Sequence, residues 1–250
     1  LEYKKIKRTI LIAGCGTGWQ VAITAAEFGS MADITAIDLS RNSLAYAERK
    51  IEEYGFNNVT FLHGDILDLP TLEQQFDIII CTGVLHHMAD PLAGWQILTD
   101  HLSAGGAMNI ALYSAVARKQ KNELFSQINF DDDAVTDEKV RLFRHKILTD
   151  RFEDWVKLVD KFTDFYSLSG CRDLFFHAQE SEYSIPDIEN HLSKMELIFL
   201  RFNLPIFHTS KFDKLYPGDN DRKNLELWNQ FEHFNPDTFT GMYNYWCMKP

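Results

Sequence analysis

The chain has 250 residues, and its 25 Lys and Arg against 36 Asp and Glu give a formal net charge of −11. This excess of acid argues against general nucleic-acid binding, which works by neutralising phosphates. No apolar run approaches the roughly 18 residues of a membrane span, and four Cys without a Cys-x-x-Cys pair exclude a disulfide scaffold.

The first half of the chain alternates short apolar runs with helical patterns, as βαβ units on a parallel sheet do. The apolar runs predict five strands, at 9–13, 33–37, 59–63, 76–81 and 107–113. Apolar residues at helical spacing predict helices over 19–28, from Ser40 or Asn42 to Tyr54, and from Pro91 to near Leu102. These elements form the first part of an α/β domain.

The alternation stops at residue 114. The remaining sequence predicts a charge-mixed helical segment at 115–184, a helix at 185–195, a strand at 197–203, a helix around 225–231 and a strand at 240–248. Because strands resume, we interpret 1–250 as one domain with a core at 1–114, a helical insertion at 115–184 and the rest of the sheet at 185–250. Fifteen of the 19 Phe follow residue 114, so these later segments either build their own core or line an apolar pocket.

A glycine-rich turn, Gly14–Gly18, joins the first strand to the first helix. Such a turn lets the backbone approach a ligand closely and directs a helix N-terminus at polar or negative groups. Dinucleotide-binding folds require a further glycine at the position of Trp19, so the pattern disfavours NAD. For the glycines alone, a tight turn without a ligand remains the alternative.

Two aspartates follow the next two strands. Asp38 ends the second strand, where a carboxylate can accept hydrogen bonds from a ribose diol. Asp65 follows the third strand, where it can accept from an adenine amine while Ile66 packs on the ring. Either Asp alone could be a turn or cap residue. Three such features at successive strand ends indicate a ligand site at the carboxyl edge of the sheet.

The motifs ILIAGCGTG, AIDLS, GDILDLP, FDIIICTGVLHHMADP and LSAGGAMNI lie in order within residues 9–113. Together they resemble class I S-adenosylmethionine-dependent methyltransferases, in particular the ubiquinone-biosynthesis-like domain. The segments DLFFHAQE and NPDTFTGMYNYWCMKP resemble, more loosely, the tail of bacterial methyltransferase domains often found beside tetratricopeptide repeats. The resemblance implies a Rossmann-like, seven-stranded, mostly parallel sheet with helices on both faces and a helical insertion after the fifth strand.

The same resemblance implies S-adenosylmethionine as cofactor and S-adenosylhomocysteine as product. It assigns the methionine part to Gly14, Gly16 and Gly18, and the ribose to Asp38 with Leu39 beside the adenine. It assigns the adenine to Asp65 and Ile66, and the space under the sulfonium to Thr82 and its neighbours after the fourth strand. The family often has an acidic residue two positions before the first glycine, where this chain has Ile12. A contact from that acid to the methionyl ammonium must therefore come from elsewhere.

A sulfonium is an activated methyl donor, so the protein chiefly binds, aligns and excludes water. A general base is needed only where the acceptor must lose a proton. The candidates are His86, with His87 beside it, and Tyr113; for each, packing is the alternative. His177 and Glu180 would share one helical face, where a solvated surface is the alternative.

We expect no metal site. Consecutive carboxylates at Asp131–Asp133 point in different directions and rarely converge, and no Cys/His cluster has zinc spacing. Cys15 and Cys81 are predicted to be small buried residues.

The acceptor is not identified by the sequence and is a small molecule or a protein, with RNA left open. Enzymes of this superfamily that methylate adenine in DNA commonly have an Asn/Asp-Pro-Pro-aromatic run after the fourth strand; its lack here, with the charge, argues against DNA. The alternatives are a cofactor-binding regulatory module without transfer activity and, remotely, an NAD(P)-dependent oxidoreductase. The start at Leu1 predicts a fragment of a longer chain, with a cofactor-covering segment and further domains before it, and we expect a cytoplasmic location.

Overall fold

Seven strands form a single sheet in the order β3-β2-β1-β4-β5-β7-β6. The computed structural model describes residues 7–126, 135–150, 153–160, 162–176 and 180–250. The strands are β1 (Arg8–Ala13), β2 (Ala32–Asp38), β3 (Val59–His63), β4 (Phe76–Thr82), β5 (Leu102–Tyr113), β6 (Ile198–Phe202) and β7 (Met242–Met248). β1 to β5 pair in parallel, whereas β7 is antiparallel to both of its neighbours.

Ten α-helices are assigned in the described ranges: α1 (Trp19–Phe28), α2 (Arg41–Glu53), α3 (Pro91–Asp100), α4 (Ala115–Ser126), α5 (Asp137–Asp150), α6 (Glu153–Val159), α7 (Leu168–Phe175), α8 (Ile185–Lys194), α9 (Ile206–Leu215) and α10 (Leu225–Phe234). Side-chain caps fix several of their starts. The Ser40 hydroxyl accepts from the Ser43 N–H at 3.2 Å, and the Asp90 carboxylate accepts from the Ala93 N–H at 3.0 Å.

Helices cover both faces of the sheet. Alternate residues of β4 point to opposite faces, so Ile80 packs with α1 and α2, whereas Ile79 and Cys81 pack with α3, α8 and α10. The predicted Rossmann-like architecture, mostly parallel with helices on both faces, is confirmed. None of the described helices is both long and apolar enough to cross a membrane.

The segment between β5 and α8 forms a hydrophobic cluster of its own. The buried members of this cluster are Val140, Phe143, Ile147, Trp155, Val159, Phe165, Cys171, Leu174 and Phe175. Its described parts consist of helices and the loops between them, with one isolated bridge between Ser114 and Tyr183. The expectation that these Phe-rich residues build a core therefore agrees with the packing.

Two features of the second half differ from the expectations. β5 begins at Leu102 rather than at residue 107, because Gly105 and Gly106 continue the strand and exchange backbone hydrogen bonds of 3.0 Å with Lys249. The helix α9 was not predicted. Its residues Ile206 and Phe207 are 82% and 71% exposed, so it lacks the apolar stripe that makes a helix recognisable in a sequence.

Candidate functional site

The glycine turn between β1 and α1 brings the backbone close to two neighbouring elements. A Cβ at Gly14 would lie 2.2 Å from the Val84 side chain, in the loop after β4. A Cβ at Gly18 would lie 2.7 Å from Ala47 of α2. Both glycines have positive φ, at +74° and +87°. At Gly16 an added Cβ meets no atom within 4 Å, so this part of the turn faces open space.

Asp38, the last residue of β2, is held by the turn. Its Oδ2 accepts a hydrogen bond from the Gly16 N–H at 2.7 Å, and its Oδ1 accepts from the Ser40 N–H at 2.8 Å. The N–H groups of Gly14 and Cys15 donate to the Ile37 carbonyl at 2.8 and 3.0 Å. The carboxylate therefore has a fixed orientation, and each oxygen can still accept a second hydrogen bond.

Asp65 begins the short 3₁₀ helix Ile66–Leu72 after β3. Its Oδ1 accepts from the Leu67 N–H at 3.0 Å, while its own N–H donates to the Asp68 carboxylate at 3.2 Å. This reciprocal cap orients the Asp65 carboxylate at the strand end. The next side chain, Ile66, is only 5% exposed.

These loops surround a cleft of about 470 Å³ at the carboxyl ends of β1 to β4. The cleft is lined by six of the eight residues predicted to bind the cofactor, namely Gly14, Gly16, Asp38, Leu39, Asp65 and Ile66. Gly18 and Thr82 are not in the lining: Gly18 packs on α2, and Thr82 is the partly buried end of β4. The lining also includes Gly64, Gly83, Val84, His87, Met88 and Ala89. Gly83 and Val84 are among the neighbours of Thr82 that were expected under the sulfonium. Gly64, Met88 and Ala89 were not predicted, although their position shortly after β3 and β4 could have identified them.

A second cavity, of about 250 Å³, adjoins the cleft and shares Gly83 and His87 with it. The rest of its lining comes from the end of β5, from the insertion and from the start of β7. These residues are Tyr113, Arg118, Phe162, Gly170, Asp173, Leu174, Thr240, Gly241 and Met242. The insertion thus forms one side of a cavity next to the cleft.

Tyr113 lies between an imidazole and a guanidinium group. The His86 ring stacks on it with a centroid distance of 3.6 Å, and the Arg118 Cζ lies 3.7 Å from the Tyr113 centroid. The Tyr113 hydroxyl is 3.5 Å from His87 Nε2. His86 itself is fully buried and lines neither cavity. Of the adjacent histidines, it is therefore His87 that the fold places beside the open space.

A buried ionic cluster joins two parts of the insertion beside this cavity. Arg118 is 0% exposed, and its Nη2 donates to Glu180 Oε2 and, at 3.1 Å, to the Leu174 carbonyl. Lys121 Nζ donates to Glu180 Oε2 at 3.2 Å. Burial, followed by the charge of Arg118, lowers the pKa of Lys121. Arg118 Nη1 has no hydrogen-bond partner in the part of the chain that the structure describes.

This cluster was not predicted from the sequence, and the alternative expected for Glu180, a solvated helix face, is wrong. Glu180 lies outside the assigned helices and is paired with two cations on α4. Sixty-two residues separate Glu180 from Arg118, so no local pattern signals the pair. His177, its expected neighbour, lies outside the described residues, as does Asp131–Asp133.

A second buried carboxylate secures the start of the insertion. Glu232 on α10 accepts from the Tyr243 hydroxyl at 2.8 Å and from the Ser114 hydroxyl at 3.2 Å. Ser114 also accepts from the Ala117 N–H at 3.1 Å, in the first turn of α4. Burial raises the pKa of Glu232 from 4.5 to about 7.

The described residues contain no group of three or more His, Cys, Asp or Glu side chains that could hold a metal ion. Cys15 and Cys81 are buried and free, as predicted. Burial raises the pKa of each of these thiols to about 12, so both are unreactive at neutral pH.

The chain matches the family model of the methyltransferase domain over residues 5–163. An uncharacterized protein of Synechococcus is 28% identical over 206 residues, which cover 78% of this chain and 48% of that protein. The demethylmenaquinone methyltransferase of Bacillus velezensis is 30% identical over 93 residues, which cover 37% of this chain and 40% of the enzyme.

Among solved structures, PKMT2 from Rickettsia typhi in complex with AdoHcy has a TM-score of 0.70 and 19% identity, covering 98% of this chain and 49% of that one. The cyclase SpnF has a TM-score of 0.53 and 15% identity. At these identities the likeness concerns the fold. The chain spans about half the length of the Synechococcus and Rickettsia proteins. The family model covers well over half of the chain, which therefore belongs to the methyltransferase domain family.

Proposed function

We propose that this domain binds S-adenosylmethionine in the 470 Å³ cleft and transfers its methyl group to an acceptor in the adjoining cavity. The observation that carries the proposal is the Asp38 carboxylate, held by the Gly16 and Ser40 N–H groups at the mouth of a glycine turn. Its remaining lone pairs suit the two hydroxyls of a ribose.

The other lining residues fit the remaining parts of the cofactor. Asp65 is oriented by its cap through Oδ1, which leaves Oδ2 for an adenine amine, with Ile66 and Leu39 as apolar neighbours. The backbone at Gly14 and Gly16 would lie along the methionine part, where Gly16 leaves open space. The cleft volume is within the range of roughly 300–1,000 Å³ that small-molecule sites have.

When bound, the cofactor supplies an activated methyl group on sulfur, so the chain needs to position the acceptor and exclude water. We assign the acceptor site to the second cavity, which borders the cleft at Gly83 and His87. The insertion, through Phe162 and Leu174, forms its outer wall. A polar group of the acceptor would also satisfy the buried N–H groups of Arg118 Nη1, which are otherwise costly to leave unpaired.

Isothermal titration calorimetry with S-adenosylhomocysteine tests cofactor binding, with NAD as the control ligand. We expect micromolar binding of S-adenosylhomocysteine and no heat with NAD. The opposite preference would contradict the proposal. Transfer of a labelled methyl group from S-adenosylmethionine to small molecules or proteins then separates an enzyme from a module that only binds the cofactor.

A further inference from the structure

His87 occupies the border between the two cavities. It follows β4 in the short 3₁₀ turn Leu85–His87, where its N–H donates to the Val84 carbonyl at 2.9 Å. Together with Gly83 it is in the lining of both the cleft and the smaller cavity. A Cβ at Gly83 would meet no atom within 4 Å, so there is open space at this border. His87 therefore borders both the space proposed for the cofactor and the space proposed for the acceptor.

Tyr113 is fixed next to this imidazole. Its ring is stacked on His86 on one side and on the Arg118 guanidinium on the other. Its hydroxyl lies 3.5 Å from His87 Nε2, and the two rings meet edge to face with centroids 5.4 Å apart. Because Arg118 is itself fixed by Glu180 and the Leu174 carbonyl, this orientation of Tyr113 is set by the insertion.

We propose that His87 is the catalytic proton acceptor for a low-molecular-weight acceptor bound in the smaller cavity, and that Tyr113 is the residue that positions its imidazole. This inference rests on the proposed function. The acceptor belongs to the class of molecules whose nucleophilic atom carries a proton: a hydroxyl, a thiol or a protonated amine.

His87 would take up the proton that the acceptor loses during methyl transfer. A bond forms between the acceptor heteroatom and the methyl carbon, while the carbon–sulfur bond breaks and its electron pair stays on the sulfur. The acceptor heteroatom loses its proton to the imidazole of His87, which later passes it to water. Imidazole suits this step because histidine changes its charge between about pH 5 and 8, and a general base of this kind contributes about 10²- to 10⁴-fold in rate.

The size and lining of the cavity define the class of acceptor. The volume of about 250 Å³ lies just below the range of roughly 300–1,000 Å³ for small-molecule sites, so the cavity suits a compact acceptor. Phe162, Leu174 and Met242 supply apolar surface, whereas Tyr113, Thr240 and Asp173 supply polar groups. Such a mixture is typical of small-molecule sites, where a few polar groups fix the orientation of the ligand.

The test uses labelled S-adenosylmethionine and a panel of small hydroxyl, thiol and amine compounds, with bovine serum albumin as a protein acceptor. On the compound that the protein methylates, H87Q should lower kcat by about 10²- to 10⁴-fold and remove the acidic limb of the pH–kcat profile. Binding of S-adenosylhomocysteine should weaken by less than about fivefold, which corresponds to less than about 1 kcal/mol, since His87 is one of several residues that line the cleft. H233Q, at an exposed histidine of α10, is the matched control and should behave as the unchanged protein.

Y113F keeps the ring between His86 and Arg118 and removes only the hydroxyl. We expect a lower kcat and a displaced acidic limb of the pH profile, which a purely structural residue would not produce. Unchanged kcat in H87Q, an unchanged acidic limb, or transfer to albumin alone would overturn the inference. So would no transfer to any panel compound while S-adenosylhomocysteine still binds. Absence of that binding would instead contradict the proposed function.

Discussion

The Gly16 N–H donates a 2.7 Å hydrogen bond to Asp38 Oδ2 and so joins the loop after β1 to the loop after β2. Hydrogen bonds to a charged acceptor are the stronger kind, and this one is partly buried. The carboxylate is thus oriented before any ligand arrives. Because the same group is proposed to receive the ribose, its removal should affect the turn and the ligand together.

Asp38→Ala should weaken binding of S-adenosylhomocysteine by one or two hydrogen bonds to a charged acceptor, each contributing about 1.5–3 kcal/mol. That corresponds to a Kd at least about tenfold higher. Isothermal titration calorimetry measures this Kd directly. Asp33→Ala is the matched control on the same strand, since Asp33 is exposed and pairs with Lys7 away from the cleft. An unchanged Kd in Asp38→Ala would show that this aspartate does not hold the ribose.

Gly14→Ala should destabilise the fold more than Gly55→Ala. Both glycines have positive φ, at +74° and +78°, which costs an L-residue about 1–2 kcal/mol. Only at Gly14 does the added Cβ also meet the Val84 side chain, at 2.2 Å. Such overpacking costs about another 1–3 kcal/mol. Urea unfolding of the two variants measures the difference in their free energies of unfolding.

Val84→Ala in the Gly14→Ala background should recover part of the lost stability, because the contact is made by the Val84 side chain. A double-mutant cycle isolates this coupling. Equal destabilisation of the two glycine variants, with no coupling to Val84, would contradict the close approach of the two loops.

The first half of the fold was predictable because its signals are local. The bounds of α1, Trp19–Phe28, and of β3, Val59–His63, agree with the sequence prediction, since apolar periodicity and strand length are set by neighbouring residues. The carboxyl ends of parallel strands also lie at the same edge of a sheet. The proximity of Asp38 and Asp65 could therefore be predicted from strand order alone.

The distinction between the two histidines could not be predicted from the sequence. His86 and His87 are adjacent, and only the turn that follows β4 decides that one is buried and the other borders the cavities. The same holds for Gly18, which packs on Ala47 of α2 rather than lining the cleft. Contacts between residues far apart in the chain, such as that between Arg118 and Glu180, produce no periodic pattern in the sequence.

Glu180→Gln should destabilise the fold by about 3–5 kcal/mol, the usual effect of removing one partner of a buried ion pair. It would leave Arg118 and Lys121, whose side chains are 0% and 6% exposed, without their shared carboxylate. Lys119→Met is the control, because Lys119 is 76% exposed and such pairs contribute at most about 1 kcal/mol. Similar unfolding midpoints for the two variants would mean that the cluster does not stabilise the insertion.

Glu232 should make the stability of the fold depend on pH. Burial raises its pKa from 4.5 to about 7, so the folded state keeps the proton to a higher pH than the unfolded chain. Unfolding therefore releases a proton between about pH 4.5 and 7, and the free energy of unfolding falls across that window. At about 1.4 kcal/mol per pH unit, the total loss by pH 8 is about 3 kcal/mol.

Glu232→Gln keeps a carbonyl oxygen for the Tyr243 and Ser114 hydroxyls but cannot ionise. The variant should match the unchanged protein near pH 4, where the carboxyl is protonated in both states, and be more stable by about 3 kcal/mol at pH 8. Urea unfolding at pH 4, 6 and 8 measures the difference, with Glu226→Gln on the exposed side of α10 as the control. A difference that is the same at all three pH values would mean that Glu232 ionises equally readily in the folded and unfolded chain.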